Sequence, residues 1–152
     1  MIRVAQVLAG SAHGGAENFY VRLVQGLHAS GKIEQKAFIR NHQHRLESLL
    51  SAGVPALGYR FGGPLHIIDR QRYHKALQSY RPDIVMTWMN RASGSTPSGP
   101  YKLVCRLGHY YDLKYYRHAD FWIGISKGIC DHLIRGGTVS YTHLTLPTIC
   151  SV

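Results

Sequence analysis

From Arg3 to Ile134 short apolar runs alternate with segments of helical period. Arg3 to Leu8 predicts a buried strand. Glu17 to Ser30 predicts a helix, with Phe19, Tyr20, Leu23, Val24 and Leu27 on one face and Ser30-Gly31 as its stop. Gln35 to Arg40 predicts a second strand. His44 to Ala52 predicts a second helix, with Leu46, Leu49 and Leu50 inward and Gly53 at its end. Val54 to Tyr59 predicts a third strand, beginning beside Pro55. Ile67 to Tyr80 predicts a third, strongly basic helix closed by Arg81-Pro82, because the residue before proline is pushed out of the helical region. Asp83 to Trp88, Leu103 to Leu107 and Phe121 to Ile125 predict three more strands. Arg91 to Pro100, rich in Ser, Gly and Pro, predicts a loop. Ser126 stands where an N-cap would start a last helix through Ile134, with Gly136-Gly137 after it.

Strand and helix units at this spacing imply an α/β fold, a Rossmann-like parallel sheet with helices on both faces. Ligands of such sheets bind at the carboxyl ends of the strands, where the strand order switches. The loops after the strands are therefore the places to look for function.

Composition narrows this picture. The 152 residues are one domain's worth, and 45% hydrophobic against 17% charged residues can build a core, which excludes global disorder. No run of about 18 apolar residues predicts a membrane span. The opening Met1 to Leu8 has too short an apolar run for a signal peptide, so a cytoplasmic location is expected. Cys105, Cys130 and Cys150 form no CxxC pair, which argues against a disulfide framework or a zinc site and for small buried apolar residues. The net charge of +10 attracts anions without choosing among nucleic acid, lipid headgroups and phosphorylated substrates.

The stretch 138–152 breaks the pattern, with no Lys, Arg, Asp or Glu. Val139-Ser140-Tyr141-Thr142-His143-Leu144-Thr145-Leu146-Pro147-Thr148 resembles a translated transposon-type sequencing-library adapter, whose codons give these residues in order. The expectation is that 138–152 is not native, that 1–137 is the natural domain, and that a C-terminal domain is missing.

The first strand ends in Ala9-Gly10-Ser11-Ala12-His13-Gly14-Gly15-Ala16-Glu17. Gly14 and Gly15 let a ligand approach the backbone closely, and the helix behind them aims free N–H groups and a positive dipole end at it. The loop suits a phosphate. It is neither a Walker loop nor a GxGxxG motif. It also reads as a tight strand-to-helix turn, and Glu17 as a first-turn acid that stabilises the helix by roughly 0.3–1 kcal/mol.

Gly14-Gly15-Ala16-Glu17 after a first strand resembles the N-terminal domain of family 4 glycosyltransferases. Ser51-Ala52-Gly53-Val54-Pro55, Arg81-Pro82-Asp83-Ile84-Val85 and His118-Ala119-Asp120-Phe121-Trp122-Ile123-Gly124-Ile125-Ser126 resemble that family's later strand junctions. The resemblance covers residues 1 to about 137. It implies the N-terminal half of a GT-B fold, two Rossmann-like domains facing across a cleft. This half would mainly bind the acceptor, and the missing half most of the nucleotide-sugar donor. The loop His13, Gly14, Gly15 and Glu17 would lie against the donor diphosphate and the acceptor. A retaining transfer to an acceptor hydroxyl is implied, with no metal and no cofactor beyond the donor itself. No catalytic residue is assigned.

Two departures from the family pattern bear on the acceptor. Histidines common after the fourth strand and in a segment after the fifth are missing: the strands end Thr87-Trp88-Met89-Asn90-Arg91 and Cys105-Arg106-Leu107-Gly108-His109. Asn90, Arg91 and Arg106 become the candidate polar contacts, with Gly108, His109, Tyr110 and Tyr111 beside them. The aromatic run Tyr110 to His118 reads either as an acceptor wall, with tyrosines stacking on sugar rings, or as a short helix with half-buried tyrosines. His13 reads as an acceptor or phosphate contact or as a surface residue. His28, His42, His44, His66, His74 and His132 show no ligand spacing beyond His42/His44, and no metal site is expected.

The basic third helix, Arg70, Arg72, His74, Lys75 and Arg81, reads as a solvated face. Its other reading is a patch for anionic membrane, worth about 1 kcal/mol per Lys or Arg near the surface; that would place the protein peripherally at the inner face of a membrane and suit a lipid-linked sugar acceptor. The alternatives to a transferase are a non-catalytic Rossmann-like module binding phosphate, nucleic acid or membrane, and another GT-B enzyme such as a sugar-nucleotide epimerase. Nucleic acid is not expected, because basic and aromatic residues interleave only at Lys114 to Arg117. The isolated chain is expected to be inactive and poorly soluble.

Overall fold

The computed structural model describes residues 1–137 and the backbone of Leu144–Thr145. Its elements run β1 (Arg3–Leu8), α1 (Gly15–Ala29), β2 (Glu34–Arg40), α2 (Gln43–Ser51), β3 (Ala56–Tyr59), α3 (His66–Tyr80), β4 (Ile84–Trp88), α4 (Met89–Ser95), β5 (Lys102–Leu107), a 3-10 turn (Leu113–Tyr115), β6 (Phe121–Gly124), α5 (Lys127–Arg135) and the two-residue β7 (Leu144–Thr145). The strands form one parallel sheet in the order β3-β2-β1-β4-β5-β6-β7. The chain builds leftward from β1 through β3, then crosses to β4. The switch in strand order therefore lies between β1 and β4, and ligands of such sheets bind at the carboxyl ends of the strands there.

Two apolar clusters cover the sheet. One packs Val7, Phe38, Val85, Leu103, Leu107 and Trp122 against Tyr73 and Leu77 of α3 and Ile129 and Leu133 of α5. The other packs Leu8, Ile39 and Trp88 against Tyr20 and Val24 of α1 and Leu49 of α2. The second face is only partly covered among the described residues. Met86, Arg106, Ile123 and Ile125 line a shallow apolar cavity of about 350 Å³ beyond α1. Among the described residues no helix is long and apolar enough to cross a membrane.

Two of the family-like junctions serve the sheet directly. Asp83 Oδ2 accepts from the Arg3 backbone N–H at 2.7 Å, and Asp120 Oδ2 accepts from the Leu103 backbone N–H at 2.8 Å. Each aspartate thus precedes one strand and pins the start of its neighbour. Arg81 ends α3 in the left-handed region (φ 51°), with Pro82 fixing the break. Ser126 caps α5, its hydroxyl oxygen accepting from Ile129 N at 3.3 Å.

Three expectations are corrected. The stretch 91–100 is not all loop: it contains most of α4. Ala92 and Ser93 are fully buried, and Ser93 Oγ hydrogen-bonds Thr87 Oγ1 at 2.8 Å. The small residues that suggested a loop let a short helix sit flush on the sheet. Leu50 is 53% exposed, because Arg45 takes the inward position of α2. Phe19 is 48% exposed, lying beside Trp88 at 5.9 Å rather than beneath α1.

Cys105 and Cys130 are buried free thiols. Cys150 lies outside the described residues, as does most of the adapter-like stretch; its Leu144–Thr145 pair edges the sheet beside β6.

Candidate functional site at the carboxyl edge of the sheet

The glycine loop after β1 is organised by Glu17. Its side chain folds back from the first turn of α1 and is 5% exposed. Glu17 Oε1 accepts from Ser11 N at 2.9 Å and lies 2.9 Å from Ser11 Oγ. That hydroxyl also lies 2.7 Å from the His13 carbonyl oxygen, so its single proton serves one acceptor at a time. Gly14, the N-cap, has extended backbone (φ 166°), so its conformation does not require glycine. Space does: an added Cβ would stand 2.2 Å from Glu17 Oε2. A Cβ on Gly15 would meet nothing within 4 Å. Gly15 thus faces open space at the start of α1, which no side chain caps.

Arg45 holds the loop from the other side. It is 3% exposed, and its Nη2 donates to the carbonyls of Ser11 (2.9 Å) and Ala12 (3.0 Å). Burial lowers its pKa, and the nearby Glu17 carboxylate opposes that shift. His44 Nε2 lies 3.1 Å from the Ala12 carbonyl oxygen, and the His13 ring stacks on His44 at 5.1 Å. His13 and Glu17 therefore belong to one structured loop with Gly14 and Gly15.

The acceptor-side candidates divide into three groups. Arg106 lies over the Trp88 ring at 4.5 Å and the Phe19 ring at 5.2 Å. Burial lowers its pKa, opposed by Tyr111. Arg106, Gly108 and Tyr111 thus gather beside α1. Burial raises the Tyr111 pKa; the Glu17 charge adds to that and Arg106 opposes it. His109 lies between the two tyrosines, its ring 5.7 Å from that of Tyr111 and 6.0 Å from that of Tyr110, while Tyr110 packs on the His132 ring of α5 at 5.6 Å and lines a cavity of about 430 Å³ there. Asn90 Oδ1 accepts from Arg91 N at 3.0 Å, whereas the Arg91 side chain lines a different cavity.

That cavity, of about 530 Å³, opens beyond β2, β3 and β4 and is lined by Arg40, Asn41, His42, Arg60, Phe61, Gly62, Gly63 and Arg91. Sequence reading picked out only Arg91 among its charged residues. The available signal was position: Arg40 is the last residue of β2, and Arg60 follows β3 directly. His42 Nε2 is buried without a hydrogen-bond partner. Burial holds its imidazole below the ordinary value; a backbone hydrogen bond at Gly10 opposes this, and Arg45, Arg40 and His44 add to it.

A parallel sheet switching order between β1 and β4, with a glycine loop at the switch, defines a Rossmann-like α/β domain. The chain is a domain of that class. No family model matches it. It is 32% identical over 119 residues to the lipopolysaccharide core biosynthesis glycosyltransferase LpsD of Rhizobium meliloti, covering 77% of this chain and 33% of LpsD. It is 32% identical over 124 residues to LpsE of the same organism, covering 79% of this chain and 36% of LpsE. The chain thus spans about a third of the length of the curated relatives it matches. Among solved structures, a glycosyltransferase from Rickettsia africae matches 95% of the chain with 42% of its own, at TM-score 0.72 and 15% identity. HepE of Anabaena in complex with UDP-glucose matches 96% with 43% of its own, at 0.72 and 12%. A UDP-N-acetylglucosamine 2-epimerase-like protein of Listeria monocytogenes matches 94% with 44% of its own, at 0.70 and 15%. At these identities the structures establish the fold alone.

Proposed function

We propose that this chain is the acceptor-side half of a retaining glycosyltransferase that moves a sugar from a nucleotide-sugar donor to a hydroxyl of a sugar or lipid-linked sugar acceptor. The observation that carries the reading is the 32% identity to LpsD over 77% of the chain. In the reaction the acceptor oxygen bonds to the anomeric carbon and the bond from that carbon to the donor diphosphate breaks. The open backbone at Gly15 and the uncapped start of α1 stabilise the diphosphate without a metal. Arg106, Gly108 and Tyr111 stand on the acceptor side of that loop. The match covers 33% of LpsD, and the 152 residues by themselves are expected to transfer no sugar.

An anionic membrane is the second partner in this reading. Leu65, Ile67 and Ile68 are exposed at the start of α3, beside Arg70 and Arg72, so apolar and basic groups share one surface. Gly62 and Gly63, which line the cavity of about 530 Å³, directly precede this segment, which suits delivery of a lipid-linked acceptor.

Titration of the chain with a de-acylated core oligosaccharide, followed by amide shifts, tests the function. Shifts at the carboxyl edge of the sheet, in the loops that follow the strands, are expected. Tighter binding of an oligonucleotide than of the oligosaccharide, with a steep salt dependence, would replace the reading with a nucleic-acid module.

A further inference from the structure

The cavity beyond β2, β3 and β4 has a chemistry that generic sugar binding does not require. Three guanidinium groups converge on it from three separate connections: Arg40 at the end of β2, Arg60 after β3 and Arg91 in α4. Among the described residues none of the three guanidinium groups donates a hydrogen bond or forms an ion pair. No Asp or Glu lines the cavity. Asp69, the carboxylate nearest to Arg60 along the chain, accepts instead from the backbone N–H groups of Arg60 (2.9 Å) and Phe61 (3.1 Å). It fixes the loop and leaves the Arg60 charge unanswered.

The loop itself is held in a demanding shape. Phe61 is 8% exposed and has φ 51°, followed by Gly62 at φ 146° and Gly63 at φ 91°. A buried non-glycine residue in the left-handed region is strained, and such strain concentrates at ligand sites. His42 adds a buried Nε2 with no partner. Three like charges around one concavity repel one another unless an anion sits between them, and the planar fork of arginine matches the oxygens of phosphate and carboxylate. The volume fits a monosaccharide with a substituent.

We propose that this cavity binds an oxyanion, phosphate or carboxylate, carried on the sugar acceptor, so that the acceptor of this domain is an anionic saccharide. The assignment to the acceptor rests on the transferase reading above. Gly14 and Gly15, assigned to the donor, do not line the cavity, and neither do Arg106 and Tyr111.

The test is calorimetric titration of the 152-residue chain with a hexose 6-phosphate, a hexuronate, the neutral hexose and inorganic phosphate. The expected result is binding of the hexose phosphate or the hexuronate at least about tenfold tighter than of the neutral hexose, a difference of about 1.4 kcal/mol. Whichever of the two binds more tightly identifies the oxyanion, and weaker binding of inorganic phosphate shows that the sugar contributes. Arg60→Gln and Arg91→Gln should each weaken the charged ligand about tenfold. Their side chains are exposed and unpaired, so the variants should keep the wild-type amide spectrum. Lys32→Gln, exposed at the opposite edge of the sheet before β2, should leave affinity unchanged. Equal binding of charged and neutral sugar, no binding of any probe, or an equal loss from Lys32→Gln would overturn the proposal. The two readings fail separately. Sugar-phosphate binding in the cavity of a domain that supports no transfer even when joined to the donor half of LpsD would remove the transferase reading alone. Transfer to a neutral acceptor, undiminished in the double arginine variant, would remove the anion site alone.

Discussion

The two adjacent glycines of the β1–α1 loop should respond oppositely to alanine. At Gly14 the new Cβ would stand 2.2 Å from Glu17 Oε2 and 3.0 Å from Glu17 Cδ. The backbone there is extended, so no dihedral strain arises. A carboxylate tip can often swing aside, but this one is 5% exposed and accepts from Ser11 N. Displacing it breaks a hydrogen bond to a charged group, worth about 1.5–3 kcal/mol, and exposes the Arg45 side of the loop. At Gly15 the Cβ meets nothing within 4 Å, and the residue already lies in α1. Alanine there should stabilise by about 0.5–1 kcal/mol, through helix propensity and a less flexible unfolded chain. Gly14→Ala should therefore lower Tm by roughly 3–12 °C, at about 2–4 °C per kcal/mol for a chain of this size, and Gly15→Ala should raise it by a few degrees. Thermal denaturation of the three proteins measures both. Equal stability of Gly14→Ala and wild type, or a loss at Gly15→Ala, would refute the reasoning about which glycine the packing requires. A further consequence follows for ligands: Gly15→Ala, although more stable, should weaken binding of any diphosphate that approaches the start of α1.

Other perturbations follow from single contacts. Asp120→Ala removes the acceptor for Leu103 N and should cost about 1–3 kcal/mol in urea denaturation; a cost under about 0.5 kcal/mol would mean the β5 start is held by its ladder alone. Arg106→Leu removes the cation over Trp88 and Phe19 and should cost about 0.5–2 kcal/mol, with a change in Trp88 fluorescence; an unchanged emission would contradict that stacking. Burial holds the His42 pKa below its ordinary 6.5, so the unfolded chain takes up this proton before the folded chain does. Stability should then fall as pH drops through 6.5, and His42→Gln should flatten that part of the profile. An identical profile in the variant would assign the loss to another group.

The sheet was legible because its strands announce themselves as apolar runs between turn signals, and the boundaries moved by only one or two residues at most ends. The junction motifs were legible too, although their role is architectural: Asp83 and Asp120 tie neighbouring strands. Pattern reading failed where small residues pack. Ala92, Ser93 and Gly94 look like loop by composition, yet their lack of bulk lets α4 lie on the sheet; a Cβ on Gly94 would come within 2.8 Å of Tyr115 Cδ1. It failed again at α2, where apolarity pointed Leu50 inward but the carbonyls of Ser11 and Ala12 draw Arg45 in. The glycine loop was visible in sequence with Glu17 as one of its members and as a helix-start charge, but the bond by which Glu17 accepts from Ser11 N was not. The arginine cavity was missed because its residues are scattered over three connections, and only the strand order brings them to one edge.

The central claim is that this domain works as the acceptor half of a glycosyltransferase, and a chimera tests it most directly. The segment of LpsD that this chain matches would be replaced by the corresponding residues of the chain, leaving the donor half intact. Transfer of sugar from nucleotide-sugar donor to core oligosaccharide would be measured alongside donor binding. The account predicts transfer above that of the LpsD donor half alone. A folded chimera that binds the donor and transfers nothing to any core acceptor would contradict it.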